Sequence, residues 1–233
     1  MKRKASVLRV LYDSKCIEVG HFARADFCHT DRWIRKDQIY SSPLLLAVVA
    51  EEIALRLFAL AKGKPIDVVV APPVGAVALA SSVAAHLTWL QKRVKDEVRM
   101  VFPREVSIRD GKGFQFTGSF SEIIAGKTIA LVDAVASTGG IIRSLEKATG
   151  EAGANLIFSG VIWVSSEYRA TMDFTRSISL AHCESPSWLA SSCPICFTKE
   201  LPLNTIYGYG SAYFEMLKKA DLAKQEQSIG RCS

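Results

Sequence analysis

The stretch KTIALVDAVASTGGIIRS, residues 127–144, contains the pattern that decides the fold. Residues 128–132 are apolar or β-branched, which predicts a buried strand. The strand ends at the carboxylate of Asp133, and a turn of small and hydroxyl-bearing residues follows. After the glycine pair at 139–140, apolar and charged residues alternate with the period of a helix. The stretch therefore predicts a strand, a loop and a helix in direct succession.

The loop in this stretch has the composition of an anion cradle. Backbone N–H groups at a helix N-terminus point toward an anion, and Gly139 and Gly140 allow the backbone to come close to it. Ser137 and Thr138 add hydroxyl donors. Neither GxxxxGK[ST] nor GxGxxG is present in this stretch. An acid before such a turn predicts a ligand that carries a phosphate and a sugar diol, with Asp133 accepting hydrogen bonds from the diol; a plain βα turn is the alternative.

Residues 129–140 resemble the 5-phosphoribosyl-1-pyrophosphate (PRPP) signature of type I phosphoribosyltransferases; the resemblance of the whole chain is closest to the longer orotate phosphoribosyltransferases, through the terminal segments described below. That signature is an apolar strand, two acidic residues and a Thr/Ser-Thr-Gly turn. The second acidic position is Ala134 in this chain. The resemblance implies that Asp133 holds the ribose hydroxyls and, through water, Mg²⁺. It also implies a PRPP-binding segment made of Asp133, Ala134, Val135, Ala136, Ser137, Thr138, Gly139 and Gly140; residues 136–140 are called the phosphate loop below.

A second strand-loop-helix unit lies upstream. Residues 66–70 are a mostly apolar strand, and residues 76–87 have the composition of a helix of small residues. In the resembling family the loop between them holds the pyrophosphate of PRPP, whereas a plain Pro-Gly turn is the alternative. We call this segment the diphosphate loop; it consists of Ala71, Pro72, Pro73, Val74 and Gly75.

Residues 103–119, between a strand at 98–102 and the PRPP signature, lack helical periodicity. They include Arg104, Arg109, Lys112 and three glycines. Loops of this length are usually functional or disordered. In the resembling family a mobile basic hood at this place closes over the pyrophosphate and excludes water. A solvated hairpin that pairs 115–118 with 104–107 is the alternative, and hoods can themselves form such a hairpin.

The N-terminal residues 20–40 are rich in charge, histidine and aromatic side chains. A solvated edge strand or loop is one interpretation. The segment also resembles the substrate segment of orotate phosphoribosyltransferases, where Lys36 would lie on the base or diphosphate side. Cys28 stands where that pattern has a basic residue. The apolar surface around Trp33 and Tyr40 predicts that another surface covers it.

The C-terminal residues 182–233 contain a CxxC motif, Cys193 and Cys196. This is half of a zinc knuckle, and Cys183 or His182 would have to complete it. A reduced structural pair and a redox pair are the other two interpretations. The following Leu-Pro-Leu-Asn and Gly-Tyr-Gly sequences resemble the C-terminal segment of longer orotate phosphoribosyltransferases.

The composition limits the class of protein but does not identify it. The chain has 233 residues, of which 49% are hydrophobic and 22% charged, as in an ordinary soluble globular protein. The formal charge of +6 fits an anionic substrate. Six scattered cysteines without a signal peptide predict reduced thiols in the cytoplasm. No membrane span and no DNA-binding motif is recognisable, so a membrane or nucleic-acid partner is not expected.

The order of elements predicts an α/β fold with an open, mostly parallel, doubly wound sheet and ligand at the carboxyl ends of its strands. Three segments are expected: an N-terminal substrate segment at 1–42, a PRPP-binding core at 43–181 and a C-terminal extension at 182–233. The resemblance implies transfer of ribose 5-phosphate from PRPP to a base, orotate first, in a homodimer, with Asp133, Arg104, Arg109 and Lys36 as catalytic residues. Ala134 and Cys28 favour the alternative, a non-catalytic PRPP- or nucleotide-binding regulatory protein.

Overall fold

The computed structural model describes residues 7–24, 26–108, 111–183 and 186–229. Among these residues the helices are α1 (Val7–Asp13), α2 (Lys36–Tyr40), α3 (Pro43–Leu60), α4 (Val77–Leu90), α5 (Ser119–Ile124), α6 (Gly140–Glu151), α7 (Ser166–Arg169), α8 (Pro194–Thr198) and α9 (Gly210–Ile229). The strands are β1 (Ile17–Ala23), β2 (His29–Ile34), β3 (Val68–Val70), β4 (Arg99–Val101), β5 (Arg104–Ile108), β6 (Gly111–Gln115), β7 (Thr128–Ala136), β8 (Leu156–Ser165), β9 (Ser177–Cys183) and β10 (Ser187–Trp188).

The chain divides into two compact units, and each is built from two separate segments. The first unit comprises Met1–Ser14 and Lys36–Glu184, and the second comprises Lys15–Arg35 and Ser185–Ser233. This division differs from the three consecutive segments expected from the sequence, because β10 of the C-terminal segment pairs with β2 of the N-terminal hairpin.

The first unit is organised around a sheet of five parallel strands in the order β4-β3-β7-β8-β9. The predicted open, mostly parallel α/β sheet is confirmed. On one face, Ile129 and Leu131 of β7 form a buried cluster with Ile142 and Leu145 of α6. On the opposite face, a Cβ atom added to Gly160 of β8 would lie 3.1–3.3 Å from side-chain carbons that include those of Ile53 and Leu57. Glycine at this position therefore lets α3 pack close to the sheet.

Strand β7 is longer than the sequence predicted. It does not end at residue 132 but continues to Ala136, which pairs with Val164 of β8. Asp133 is therefore part of the strand and is buried, with 6% of its surface exposed.

The hood forms a two-stranded antiparallel hairpin, β5–β6, in which Arg104 pairs with Gln115 and Ile108 with Gly111. Both interpretations of the sequence allowed a hairpin. The predicted register paired 104–107 with 115–118, whereas the observed one pairs 104–108 with 111–115. The helices α2, α5, α7, α8 and α9 were not predicted. No helix among the described residues combines the length and apolar character needed to cross a bilayer.

The second unit contains the antiparallel strands β1 and β2, with β10 added beside β2. Phe22 is the largest fully buried side chain among the described residues of this unit, and its ring centroid lies 6.1 Å from that of Trp33. The ring of Trp33 also packs edge-on against that of Tyr209, which comes from the C-terminal segment. The N-terminal segment is therefore a packed hairpin, not the solvated edge strand or loop that was one interpretation.

Candidate functional site

Two loops of the first unit begin from neighbouring parallel strands. Val70 of β3 pairs with Leu131 of β7, so the diphosphate loop and the phosphate loop leave the same edge of the sheet. Parallel sheets bind ligands at the carboxyl ends of their strands. The two loops predicted to bind parts of one ligand therefore leave the same edge of the sheet, with the phosphate loop starting further along, where β7 ends at Ala136.

Asp133 is the acidic group at this edge. Its Oδ1 accepts a hydrogen bond of 2.7 Å from the backbone N–H of Ala134. Burial raises the pKa of Asp133 to about 6, although the Ala134 N–H, the charge of Lys36 and the Val135 N–H oppose the rise. The side chain is thus ionised above neutral pH and protonated in mild acid.

Helix α2 brings two further groups to Asp133. Lys36, at its first position, is exposed and close enough for its charge to act on Asp133. Tyr40, at its last position, donates a hydrogen bond of 2.7 Å to the carbonyl oxygen of Gly75. Burial and, second, the charge of Asp133 raise the pKa of Tyr40, so its hydroxyl keeps its proton. Sequence reasoning missed this role of Tyr40, since an isolated tyrosine has no motif around it.

The diphosphate loop is held in an unfavourable backbone conformation. Val74 has a φ of 60° and is 94% exposed, while the N–H of Gly75 donates to the carbonyl of Pro73 at 2.7 Å. A β-branched residue rarely adopts positive φ, and such strain costs about 1–3 kcal/mol. Strained backbone is concentrated at ligand sites, which supports the functional interpretation of this loop over a plain turn.

The phosphate loop depends on a glycine at its last turn. Gly139 has a φ of 75°, and a Cβ atom there would lie 2.1 Å from Cε2 of Tyr168 and 2.8 Å from Nη1 of Arg143. Gly139 is also the N-cap of α6 and has no side chain to cap that helix, while Oγ1 of Thr138 accepts the N–H of Gly140 at 3.4 Å. The next N–H groups of the first turn of α6 are therefore open to an anion.

Side chains beyond the loop fix its path. Arg143 donates to the carbonyl oxygen of Thr138 at 2.7 Å. The hydroxyl of Ser165 donates to the carbonyl oxygen of Ser137 and accepts the N–H of Tyr168 at 3.1 Å. The loop is thus attached to α6 on one side and to the β8–α7 junction on the other.

The structure brings only part of the predicted basic set to this edge. Lys36 acts on Asp133, whereas Arg104 is exposed and donates to Oε1 of Gln115 within the hood at 2.9 Å. Arg109 lies outside the described residues. Lys112 is paired with Ser107 through its backbone, and its side chain is not among those described.

The CxxC motif belongs to the second unit and has different neighbours from those expected. Cys193 and Cys196 lie with His21 and His29, and the four ligand atoms are all within 4.8 Å of one another. His182 is not in this group, and the side chain of Cys183 lies outside the described ones. The sequence did not reveal the two histidines as neighbours of the CxxC motif, because they lie more than 160 residues upstream and share no local spacing with the cysteines.

Asp133 also fits a role in holding Mg²⁺. This ion is usually bound through one or two carboxylates, waters and substrate phosphates. Asp133 offers one carboxylate between two loops that suit phosphate groups. The donor set is thus adequate for a water-mediated contact to a magnesium ion that arrives with its ligand.

We predict that Asp133→Asn stabilises the first unit in a pH-dependent way. Between about pH 4 and pH 6 the unfolded chain ionises Asp133 while the folded chain keeps it protonated, so the parent loses stability as pH rises. The gain from Asn should grow over this window to about 3 kcal/mol and then stay constant. Urea unfolding at several pH values measures it. Glu151→Gln, an exposed acid at the end of α6, is the control, and a gain that is equal at pH 4 and pH 7 would contradict the assignment.

We also predict that Gly139→Ala destabilises the first unit by about 2 kcal/mol or more, because its Cβ meets the buried Tyr168 ring and its φ is positive. Gly140→Ala is the matched control, since its Cβ would meet only Oγ1 of Thr138 at 3.6 Å. Thermal unfolding compares the two variants. Equal melting temperatures would show that the loop does not require glycine at position 139.

Comparison with known proteins places this geometry in a family. A curated relative, orotate phosphoribosyltransferase from Thermoanaerobacter sp. (strain X514), is 25% identical over 194 residues, which are 83% of this chain and 92% of the relative. Orotate phosphoribosyltransferase from Aeropyrum pernix superimposes with a TM-score of 0.53 at 17% identity, covering 76% of this chain and 94% of that one.

Two other solved structures are similar in fold. Adenine phosphoribosyltransferase from Saccharomyces cerevisiae matches with a TM-score of 0.56 at 15% identity, over 76% of this chain and all of that one. UMP synthase from Leishmania donovani matches with a TM-score of 0.56 at 17% identity, over 77% of this chain but only 36% of that one. The model of the phosphoribosyl transferase domain matches residues 35–180, which include both loops, Lys36 and Asp133. The chain therefore belongs to the phosphoribosyl transferase domain family.

Proposed function

We propose that the chain is a phosphoribosyltransferase that moves ribose 5-phosphate from PRPP to a ring nitrogen of a base and releases pyrophosphate. One observation carries the proposal. The two loops begin from directly paired strands, and the ionisable Asp133 lies at the same edge. The spacing suits a ligand with a phosphate at one end, a diphosphate at the other and a sugar diol between them.

Each part of the site has a stated role in this proposal. The phosphate loop binds the 5-phosphate through the N-terminal N–H groups of α6. The carboxylate of Asp133 accepts hydrogen bonds from the ribose hydroxyls. The diphosphate loop, held by Tyr40, binds the pyrophosphate group, and Lys36 supplies positive charge beside it.

In the reaction the bond from the anomeric carbon to the pyrophosphate oxygen breaks, and a bond from that carbon to the base nitrogen forms. Positive charge builds on the ribose, and the fixed negative charge of Asp133 stabilises it without reorganisation. Arg104, Arg109 and Lys112 of the hood would balance the charge of the leaving group. Bound Mg²⁺ would neutralise diphosphate oxygens.

Orotate is the first candidate for the base. Support comes from the curated relative, an orotate phosphoribosyltransferase that aligns over 83% of this chain. Adenine is the natural comparison, since an adenine phosphoribosyltransferase shares the fold. The free thiols of Cys16 and Cys28 suit a reducing compartment, so we place the reaction in the cytoplasm.

Ala134 favours a second candidate, a regulatory protein that binds PRPP or a nucleotide without turning it over. The family pattern has an acid at this position, whereas Ala134 is apolar and only 1% exposed. One carboxylate instead of two reduces the negative charge at the place where positive charge develops. Loss of such a contact commonly costs about 3 kcal/mol in the transition state, roughly a hundredfold in rate.

The deciding experiment measures PRPP binding and pyrophosphate release side by side. The full chain is supplied with PRPP, Mg²⁺ and either orotate, adenine or another base, and calorimetry follows binding of PRPP alone. We expect release with orotate, reduced at least about a hundredfold in Asp133→Asn and unchanged in Glu151→Gln. Binding without release for every base selects the regulatory protein. Absence of PRPP binding overturns the transferase and the PRPP-binding form of the regulatory protein.

We further propose a homodimer. Family members often complete their site with the neighbour's hood, and α3 presents Leu44 and Val48, 82% and 45% exposed, one turn apart. Trp33 and Tyr40 offer less apolar surface to a second chain than expected, because both are half-buried within their own chain.

Light scattering at micromolar concentration should give twice the mass of one chain. Leu44→Glu should lower that mass toward a monomer, and Glu51→Gln on the same helix should not. A monomer mass for the parent would refute the dimer.

A further inference from the structure

We propose that His21, His29, Cys193 and Cys196 form a structural zinc site that joins the N-terminal hairpin to the C-terminal segment within the second unit. The four residues offer two imidazole nitrogens and two thiolates, a donor set that selects tetrahedral zinc. This inference stands on the second unit alone and does not depend on the PRPP site.

The distances between the ligand atoms are close to those of a tetrahedral site. Zn–N bonds of about 2.0–2.1 Å and Zn–S bonds of about 2.3 Å place neighbouring ligand atoms about 3.3–3.8 Å apart. The Sγ atoms of Cys193 and Cys196 lie 3.5 and 3.6 Å from Nε2 of His21, and Sγ of Cys196 lies 3.3 Å from Nδ1 of His29. The two nitrogens are 2.9 Å apart. No pair exceeds 4.8 Å, so an ion requires only small shifts.

Hydrogen bonds alone do not account for this convergence. Nδ1 of His21 lies 3.0 Å from the carbonyl oxygen of Leu201, which can only accept, so Nδ1 carries the proton. In the neutral ring, Nε2 then has a single lone pair. Three groups surround that lone pair: Nδ1 of His29 and the two Sγ atoms. One lone pair can accept only one hydrogen bond, whereas a metal ion at the centre would coordinate all four ligand atoms.

The contact to Leu201 is also the arrangement that zinc-binding histidines usually have. A ligating histidine generally donates its other N–H to a carbonyl or carboxylate, which fixes the ring and its tautomer. Leu201 therefore acts as an outer-shell partner that positions His21. It also links the ligand set to the chain segment that follows α8.

Burial supports a structural rather than a catalytic ion. His21, His29 and Cys193 are 4%, 1% and 0% exposed, and four protein ligands leave no open coordination position. An open cavity of about 390 Å³ is lined by His21, His29 and Cys196 together with apolar side chains such as Leu203. This cavity provides a path by which an ion or a chelator reaches the ligands.

The ligands come from elements that hold them in place. His21 lies in β1 and His29 in β2, and residues 22 and 30 of these strands pair with each other. Cys193 is the N-cap of α8 and Cys196 lies within that helix. Helix α8 has only five residues, too few to be stable by itself, so a metal bond explains how it keeps its place.

The test begins with the metal content of the native full chain. After expression with zinc in the medium, mass spectrometry should find about one zinc per chain. Cys196→Ser and His29→Ala should each reduce the content to below about a tenth. Cys28→Ser is the matched control, because Cys28 is half-buried at the same hairpin but lies outside the cluster. Its zinc content should match the parent.

Two measurements on the parent protein test the zinc site without relying on folded variants. Replacement of zinc by Co²⁺ should give the visible absorption of a tetrahedral ion with thiolate charge transfer. Addition of a chelator should lower the melting temperature, and zinc should restore it. Parent protein without stoichiometric zinc, a Cys193–Cys196 disulfide in the freshly purified chain, or equal zinc loss in Cys28→Ser would each overturn the site.

Discussion

The parallel hydrogen bonding between β3 and β7 is the constraint on which the candidate ligand site depends. It requires the two strands to run in the same direction and places Val70 beside Leu131. Both following loops must then begin at one edge of the sheet. The phosphate loop nevertheless begins further along than the diphosphate loop, because β7 continues to Ala136 whereas β3 ends at Val70. Tyr40 adds a further restraint, because its hydroxyl is bonded to the diphosphate loop.

The sequence was most informative where the structure is local. A run of apolar residues predicted β7, and Ser42-Pro43 marks the start of α3, where the Ser42 side chain accepts the N–H of Leu45. The length of β7 was underestimated because Asp133 interrupts the apolar run. The pairing with β8 overrides that local signal and carries the strand to Ala136.

Contacts between distant parts of the chain could not be predicted. Nothing in the sequence near Gly139 reveals that the ring of Tyr168 occupies the space of its missing side chain. The CxxC motif was recognised, but its histidine neighbours lie on a hairpin near the other end of the chain. Position 134 illustrates the same limit. The family pattern marks a missing acid there, and the structure shows that the replacing side chain is buried, so a carboxylate at this position would need a compensating partner.

The second unit is discontinuous in sequence, and this has a consequence for the order in which the chain matures. The segment Lys15–Arg35 is synthesised first, but the strand that pairs with it begins only at Ser187. At about 5–20 residues per second, roughly 150 intervening residues take on the order of ten seconds to appear. During that time the hairpin of β1 and β2 lacks β10, so the edge of β2 and the two histidines are not covered by the C-terminal segment. All five strands of the sheet in the first unit are synthesised before Ser187. The β1–β2 hairpin is therefore the part of the nascent chain that stays longest without its partner strand.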